Sequence, residues 1–376
     1  MKLSIVIPFR DGGEALGVCL RAVAAAQAAC AEAAETELIA VDDGSTDDSA
    51  ARARAAGATV LATPAPGGHG PAAARNLGAS AANGDYVFFV DADVALHPDA
   101  LRRAAEAFAA DPAPEAVFGS YDDAPAAPNF LSQYKNLLHH YVHQHADERA
   151  ATFWTGCGAM RLSTYRALGG LDARTYRRPS IEDIDLGYRL RRRGGEIRLL
   201  KDMQCVHLKR WTVASLLRSD ILERGVPWTV LLWRESRARR GAAGGGAGRP
   251  TMRDLNLQTS NRVSVALTAL LAVAVVGMPI TPWAWPALPV LAAALLALNW
   301  RLYAFFARRR GWGFALACIP WHWLYYLYNS LSFSLGTVQY WLNGTRALRE
   351  DGALHAGDEE TFLAQHGAGE GGQGPG

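Results

Sequence analysis

Residues 84–93, which read GDYVFFVDAD, decide the fold that the sequence predicts. The apolar run 86–90 is typical of a strand in a parallel sheet that is covered on both faces. Asp91 and Asp93 follow it, and alternate residues of an extended strand share a face. Ligands of such sheets collect beyond the carboxyl ends of the strands, where two hard oxygen ligands favour Mg²⁺ or Mn²⁺. A solvated turn or a helix cap is the alternative interpretation of so short a motif.

The rest of the N-terminal half alternates between strands and helices. Strand-like runs at 3–7, 37–41 and 59–61 each precede a helical pattern, which predicts an α/β fold with a doubly wound, mostly parallel sheet. Each strand ends in a polar cluster, and the carboxyl ends of parallel strands meet at one sheet edge, so we expect one site there. No GxGxxG follows the first strand and no GxxxxGK[ST] occurs, which argues against a dehydrogenase or a P-loop enzyme.

The composition narrows the class of protein. The 376 residues allow two or three domains, and a net charge of +2 gives no reason to expect a nucleic-acid partner. The five cysteines form no CxxC pair, which argues against a zinc ribbon or a disulfide framework and fits a reducing compartment. Because a strand-like run begins at residue 3, we expect no signal peptide.

Three motifs in the second half carry further small or polar residues. The motif 155–161, TGCGAMR, contains Gly156 and Cys157, and residues this small let a ligand approach the backbone closely. The motif 181–187, IEDIDLG, places carboxylates where they either cap a helix or supply a general base. The motif 207–211, HLKRW, combines a potential metal ligand, two cations and an aromatic ring.

The helical segment 130–148 is rich in histidine. His139 and His143 share a helical face, so a metal site is one interpretation. No Asp or Glu lies at ligand spacing beside this pair, and an apolar stripe runs along the segment. We therefore expect a packing helix, and the sequence assigns no chemical role to its histidines.

The ordered series of motifs resembles the family 2 inverting glycosyltransferases, which have the glycosyltransferase-A fold. The resemblance covers residues 1–235 and rests on the blocks SIVIPFRD, VDDGSTD, GPAAARNLGA, GDYVFFVDAD, TGCGAMR, IEDIDLGYRLRRRG and HLKRW. It implies a metal-dependent enzyme that uses a nucleotide-diphosphate sugar. His207 stands where processive members carry the glutamine of Gln-x-x-Arg-Trp, which argues against the synthesis of a polymer.

The resemblance also implies the residues of the metal site and of catalysis. Asp91 and Asp93 would be the metal-binding pair, with Asp93 the direct ligand of Mn²⁺ or Mg²⁺, and His207 would complete the metal shell. Asp91 would serve the donor ribose or a metal-bound water. In the acidic motif, Asp183 would be the general base beside Glu182.

The remaining matches would bind the two substrates. On the donor side they are Pro8, Phe9, Asp42, Asp43, Arg75, Asp91 and Arg210. On the acceptor side they are Gly156, Cys157 and Trp211. Asp42 or Asp43 would recognise the nucleobase, usually uracil, and Arg210 would neutralise diphosphate charge.

Three apolar segments follow at 263–280, 282–306 and 313–335. Crossing the hydrocarbon core of a membrane takes about 20 residues, so we expect three helices of a membrane domain. Arginines at 253, 262 and 308–310 flank these segments, and the positive-inside rule then places the preceding domain in the cytoplasm. We therefore expect a multi-pass protein of the inner membrane.

The sequence thus predicts four parts of the chain. They are a catalytic domain 1–235 with its donor half at about 1–120 and its acceptor half at about 121–235, a Gly/Arg-rich linker 236–260, a membrane domain 261–342 and a disordered tail 343–376. We expect transfer from a nucleotide-diphosphate sugar, such as a UDP-sugar, to a lipid-linked or cell-envelope acceptor. The alternatives are a polyprenyl-phosphate sugar synthase and, from another class, a non-catalytic nucleotide-binding scaffold or transporter.

Overall fold

The structure is a computed structural model that describes residues 1–65, 67–241, 259–279, 281 and 284–366. Most of the predicted linker 236–260 lies outside these ranges, as do parts of two predicted membrane segments and the end of the predicted tail. The described chain forms a nine-stranded sheet with helices on both faces, followed by long helices at its C-terminal end.

The elements run in chain order as follows. The first are β1 (Lys2–Phe9), α1 (Gly13–Cys30), β2 (Glu35–Asp42), α2 (Ser49–Ala55), β3 (Thr59–Ala62), α3 (Pro71–Ala81), β4 (Tyr86–Val90), β5 (Val94–Leu96), α4 (Ala100–Ala110) and β6 (Pro114–Tyr121). Then come α5 (Phe130–Gln144), β7 (Arg149–Ala150), β8 (Cys157–Arg161), α6 (Leu162–Ala167), α7 (Glu182–Arg192) and β9 (Glu196–His207). The last are α8 (Val213–Arg218), a π-helical segment (Ser219–Gly225), α9 (Val226–Gly241), α10 (Thr259–Gly277), α11 (Ala284–Leu298) and α12 (Trp300–His366).

The sheet is mixed, whereas the sequence predicted a mostly parallel one. Its strand order is β3-β2-β1-β4-β8-β6-β9-β5, with β7 paired to β9. The pairs among β1, β2, β3 and β4 are parallel, but β8 enters between β4 and β6 and runs antiparallel to both. β5 and β7 are also antiparallel to β9. A short apolar run indicates a buried strand without indicating its direction, which is why the prediction was wrong here.

The strand β4 lies at the centre of the sheet, and all five of its residues are buried. Phe88 packs with α1 and α4 on one face, and Phe89 packs with α3 and α6 on the other. Full burial of each ring stabilises the fold by about 1.5–3 kcal/mol relative to an exposed ring. β4 is therefore covered on both faces, as its unbroken apolar run predicts.

The chain turns sharply after β4 and then pairs with the end of β9. The N–H of Val94 donates to the carbonyl oxygen of Asp91 at 3.0 Å. β5 runs antiparallel to β9 with Val94 opposite His207, and the N–H of Leu208 donates to the carbonyl oxygen of Asp93 at 2.8 Å. This register brings the aspartates that follow β4 beside a histidine from a distant part of the sequence.

The three predicted membrane spans are not confirmed. Within the described ranges, α10 is the one helix that is long and apolar enough to cross a membrane by itself. Trp285–Leu298 and Trp300–Leu342 meet at 64° and would add a second crossing only if the bent pair acts as one span. α12 also packs Phe306 against Tyr134 of α5, so part of its apolar surface belongs to a protein core. Hydropathy alone does not separate these two uses of apolar residues.

α12 is broken at Gly311, where φ is 84° and ψ is 164°. Glycine adopts this conformation without the steric cost that a Cβ atom would add. Beyond the break the backbone is helical as far as His366, a range that includes most of the segment predicted to be disordered.

Candidate functional site

A cleft of about 250 Å³ opens at the carboxyl edge of β1 and β4. The start of α3, the start of α7, the end of β9 and the π-helical segment complete its walls. Eight of the residues that the sequence predicts for the donor, metal, catalytic and acceptor sites line this cleft: Pro8, Arg75, Asp91, Asp93, Glu182, Asp183, His207 and Trp211. The polar ends of several strands thus meet at one edge of the sheet.

The buried guanidinium group of Arg75 joins the two halves of the cleft. It donates to Asp91 Oδ1 at 2.5 Å and to Glu182 Oε1 at 3.0 Å. The side chains of Arg75 and Glu182 are both 6% exposed. The Ser180 N–H donates to the other carboxylate oxygen of Glu182 at 2.9 Å, so both oxygens of Glu182 are occupied. A buried pair of this kind is costly to break from one side, and it therefore holds β4 and α7 in a defined relation.

Asp43 organises the loop that leads into α3. Its carboxylate accepts hydrogen bonds from the Thr63 hydroxyl at 2.9 Å, from the His69 N–H at 2.9 Å and from the Gly70 N–H at 2.8 Å. Gly70 has a φ of 92°, and a Cβ atom there would lie 2.3 Å from the carbonyl oxygen of Arg177. Asp43 is therefore committed to the backbone that positions α3, and it does not line the cleft.

Asp183 lies in the first turn of α7 and faces Thr155. Its Oδ2 accepts hydrogen bonds from the Thr155 N–H at 3.2 Å and from the Thr155 hydroxyl at 3.4 Å. Burial, and then the neighbouring charge of Glu182, raise the pKa of Asp183 to about 6, against the opposing effect of Arg75. A carboxylate with such a pKa can accept a proton near neutral pH.

Asp93 and His207 face each other in the cleft, with Asp93 Oδ2 and His207 Nε2 3.7 Å apart. His207 Nδ1 lies 2.9 Å from Asn136 Oδ1, and the ring of Tyr121 stacks on the imidazole with centroids 4.5 Å apart. With Nδ1–H donating to Asn136, Nε2 keeps its lone pair on the side of Asp93. The neighbours of His207 thus orient its Nε2 toward Asp93.

This pair of side chains fits a divalent cation. Neighbouring ligands of an octahedral Mg²⁺ lie about 3 Å apart, so a small closure of the gap between Asp93 and His207 would let both bind. In the part of the chain that the structure describes, no group of three or more His, Cys, Asp and Glu side chains could hold a metal. Two protein ligands with an anionic substrate and water in the other positions is the usual arrangement for Mg²⁺.

Six predicted residues do not line the cleft. They are Phe9, Asp42, Asp43, Gly156, Cys157 and Arg210. Phe9 and Cys157 are buried in the core. A Cβ atom at Gly156 would lie 2.5 Å from the ring of Trp154, so the small residue there serves packing.

The histidine-rich helix α5 packs against β6. His140 Nδ1 lies 2.8 Å from the carbonyl oxygen of Tyr121, and His143 Nδ1 lies 3.1 Å from that of Gly119. Burial lowers the pKa of His143 to about 4, so this residue is neutral at physiological pH. His139 is the member of the series that lines the cleft. The contacts agree with a packing helix.

The sequence assigns no individual role to three cations in the cleft: Lys135, Lys209 and Arg224. Lys135 lies in the middle of α5, and its Nζ donates to Asp220 Oδ1 of the π-helical segment at 2.5 Å. A charged residue on a largely apolar helix was the available signal for Lys135, but its partner lies far along the chain. Sequence pattern alone therefore could not place it in the site.

Residues 4–168 match the family model described as glycosyl transferase family 2. A curated relative, the undecaprenyl-phosphate 4-deoxy-4-formamido-L-arabinose transferase of Sodalis glossinidius (strain morsitans), is 37% identical over 115 residues. These residues are 29% of this chain and 34% of the relative, so the match spans about a third of the relative's length.

The structure is similar to that of the mannosyltransferase PcManGT from Pyrobaculum calidifontis in complex with GDP-Man and Mn²⁺. The TM-score is 0.52 at 19% identity, over 88% of this chain and 86% of that one. It is also similar to S. aureus TarS 1–349 in complex with UDP-GlcNAc, with a TM-score of 0.47 at 16% identity over 92% of each chain. The first likeness shows a shared fold.

Proposed function

Because residues 4–168 match the family model of glycosyl transferase family 2, we propose that the chain transfers a sugar from a nucleotide-diphosphate sugar, such as a UDP-sugar, to a lipid-linked or cell-envelope acceptor. One observation carries the proposal: a single cleft contains the Asp93–His207 pair, the ion pairs of Arg75 and the carboxylate of Asp183. The match over residues 4–168 favours an enzyme over a non-catalytic nucleotide-binding scaffold or transporter.

The donor end of this site is formed by the carboxyl edge of β1 and β4. Asp93 and His207 would hold Mn²⁺ or Mg²⁺, which when bound offsets the charge of the departing diphosphate. Arg75 holds Asp91 at 2.5 Å, so one oxygen of Asp91 remains to accept a hydrogen bond from the donor ribose or from water. Arg210 is exposed close to the end of β9, where it can approach diphosphate oxygens.

The reaction is an inverting displacement in a single step. Asp183 takes the proton of an acceptor hydroxyl, and the hydroxyl oxygen forms a bond to the anomeric carbon of the donor sugar. The bond between that carbon and the diphosphate oxygen breaks, and the nucleotide diphosphate leaves with the electron pair. Glu182 stays paired with Arg75, so it positions Asp183 and raises its pKa instead of taking the proton itself.

A second acceptor class is favoured by the curated relative, whose name includes undecaprenyl-phosphate. If the acceptor is a polyprenyl phosphate, a phosphate oxygen attacks the anomeric carbon. The second pKa of such a monoester is about 6, so the attacking oxygen is already deprotonated at neutral pH. Asp183 would then be less important for the step than with a hydroxyl acceptor.

We propose that residues 1–235 form the catalytic domain at the cytoplasmic face of the inner membrane. α10, the candidate span, would anchor it, and the bent pair formed by α11 and α12 would lie beside that anchor. The arginines that flank the apolar segments support this orientation.

The test uses the full-length protein in detergent with a panel of UDP- and GDP-sugars. We expect nucleotide diphosphate to be released in the presence of Mn²⁺ and a membrane-lipid extract, and release to stop when EDTA is added. Asp93→Ala should lower the rate of nucleotide diphosphate release at least a hundredfold, because one of the two protein ligands of the metal is lost. Asp202→Ala changes a carboxylate whose side chain is 83% exposed, and serves as the matched control.

Two results would contradict different parts of the proposal. Release that persists in EDTA and in the Asp93→Ala protein would contradict the metal pair. Absence of release from every nucleotide sugar with every lipid extract would contradict the transferase activity.

A further inference from the structure

The cleft holds three cations that the donor site does not use: Lys135 of α5, Lys209 after β9 and Arg224 of the π-helical segment. Lys135 has its Nζ bonded to Asp220, and Lys209 has its Nζ 4.3 Å from the ring centroid of Trp211. Within the described ranges, neither Lys209 nor Arg224 forms a salt bridge with a carboxylate. The group is therefore richer in cations than in carboxylates.

Four of the five acidic side chains that line the cleft are already engaged by a cation or a histidine, and the fifth, Asp183, accepts hydrogen bonds from Thr155. Arg75 pairs with both Asp91 and Glu182, and Glu223 pairs with Arg218 at 3.1 Å. His207 faces Asp93. This end of the cleft thus attracts an anion, because cations held close together in a partly buried place gain from an added negative charge.

Lys135 shows the cost of this arrangement. Its side chain is 16% exposed, and burial lowers its pKa against the attraction of Asp220, with the charges of Arg224 and Lys209 lowering it further. An anion bound between the three cations would remove this repulsion.

Asp220 fixes Lys135 in place and is itself fixed by α12. Asp220 is 5% exposed, and its Oδ2 accepts a hydrogen bond from the Tyr328 hydroxyl at 2.7 Å. A Cβ atom at Gly225 would lie 2.6 Å from Ser332 Cβ, which shows how closely the π-helical segment approaches α12. π-helical turns often occur at functional sites, and this one presents Arg224 to the cleft.

Exposed apolar side chains lie on the same two elements. Leu222 of the π-helical segment is 61% exposed, and Leu324, Leu327 and Leu331 of α12 are 38–51% exposed. Leu324, Leu327 and Leu331 lie within about one helical turn of Tyr328 along α12. A group of cations on or beside elements that also carry exposed apolar side chains fits an anionic head group that carries a hydrocarbon chain.

We propose that Lys135, Lys209 and Arg224 form a phosphate subsite that binds the phosphate group of the acceptor lipid, and that Asp220 and Tyr328 position Lys135 within it. The assignment rests on the proposed transfer to a lipid-linked acceptor. The donor diphosphate carries the same chemistry, but the donor end lies at β1 and β4, whereas Lys135 and Arg224 come from α5 and the π-helical segment, and Lys209 follows β9.

The experiment measures binding by calorimetry with the full-length protein in detergent. The probes are farnesyl monophosphate, neutral farnesol and UDP with Mn²⁺. We expect the wild-type protein to bind farnesyl monophosphate at least about tenfold more tightly than farnesol, because charge-assisted hydrogen bonds to the phosphate add to the binding free energy. Lys135→Met should remove this difference and leave the affinity for UDP within about twofold, and Lys135→Arg should restore it.

Two further variants serve as controls. Lys201→Met changes a lysine of β9 that does not line the cleft and should behave as wild type. Tyr328→Phe keeps the ring but loses the hydroxyl that holds Asp220. With a lipid acceptor it should raise KM several-fold while kcat stays unchanged, and a loss of folding alone would not give this split.

The proposal is overturned if the wild-type protein binds farnesyl monophosphate and farnesol with equal affinity. It is also overturned if Lys135→Met weakens the binding of UDP as much as the binding of farnesyl monophosphate. The second result would assign the cations to the donor diphosphate. Binding of the monophosphate does not depend on turnover, so failure of the transferase activity would be recognised separately in the nucleotide-release assay.

Discussion

The two ends of the cleft differ in how fully their cations are paired with carboxylates. At the donor end, Arg75 lies between Asp91 and Glu182, so the cation and the carboxylates compensate each other inside the fold. At the acceptor end, the three cations of the phosphate subsite share one bonded carboxylate, Asp220. A compensated set fixes the shape of a site, whereas an uncompensated set keeps its attraction for a ligand. The difference assigns a structural task to the first group and a binding task to the second.

The largest effect on the chemistry should come from Asp183, which lies between these two ends. Asp183→Asn removes the general base while keeping the shape of the side chain, and should lower transfer to a hydroxyl acceptor by about 10²–10⁴-fold. The affinity for UDP, measured by calorimetry, should not change. Because the pKa of Asp183 is raised in the fold, its ionised form costs stability at neutral pH, so the melting temperature should not fall.

Normal turnover by the Asp183→Asn protein would contradict the role of general base. Together with intact binding of farnesyl monophosphate, that result would indicate that a phosphate oxygen is the attacking group.

The second largest effect should come from breaking the ion pairs at the donor end. Arg75→Met should lower the free energy of unfolding by about 3–5 kcal/mol, because the buried carboxylate of Glu182 and the partly buried one of Asp91 lose their partner. Arg52→Met breaks an exposed pair with Asp48 and Glu14 and should change little. Urea denaturation followed by circular dichroism measures both. Equal stability of the two variants would show that the buried pairs do not hold the halves of the cleft together.

The pH dependence of transfer is expected to be smaller but diagnostic. Burial raises the pKa of Asp183 to about 6, so the base becomes protonated as the pH falls through that value. We expect kcat/KM for a hydroxyl acceptor to fall about tenfold per pH unit below 6 and to be level above it. If kcat/KM instead falls with an apparent pKa of about 4, the ordinary range of an exposed Asp, the loss of activity at low pH is not caused by protonation of Asp183.

The smallest effect concerns α8, the helix that begins at Val213, shortly after Lys209. The Thr212 hydroxyl accepts a hydrogen bond from the Ser215 N–H, and Ser215 bonds back to Thr212, so the two form a capping box for α8. Thr212→Ala should cost about 1 kcal/mol of stability. If acceptor binding also weakens, the start of α8 contributes to the acceptor end. Thr59→Ala, at an exposed strand position, is the control.

The comparison also shows why the two ends were not equally visible in the sequence. Asp91 and Asp93 follow directly on the apolar run of β4, and Asp183 follows Glu182 at the start of a helix, so contiguous residues indicate them. The side chain of Lys135, by contrast, is held by Asp220, and the carboxylate of Asp220 is held by the hydroxyl of Tyr328. No local periodicity links those three positions.

Some predictions from local motifs did not lead to the cleft. Asp43 lies in the motif VDDGSTD, yet its oxygens accept hydrogen bonds from the loop before α3. Gly156 and Cys157 are small, yet they serve packing. A motif indicates that a residue type matters at a position. It does not indicate whether backbone or ligand takes the hydrogen bonds.

The sequence by itself determined the central strand, the acids that follow it and the alternation of strands and helices in the first half. These features depend on neighbouring residues, whose burial pattern and turn chemistry are written in order along the chain. The tertiary structure alone decided the mixed direction of the sheet, the approach of His207 to Asp93 and the contact of α12 with Asp220. These contacts join distant segments through strand register and helix packing, and local pattern does not encode register across such distances.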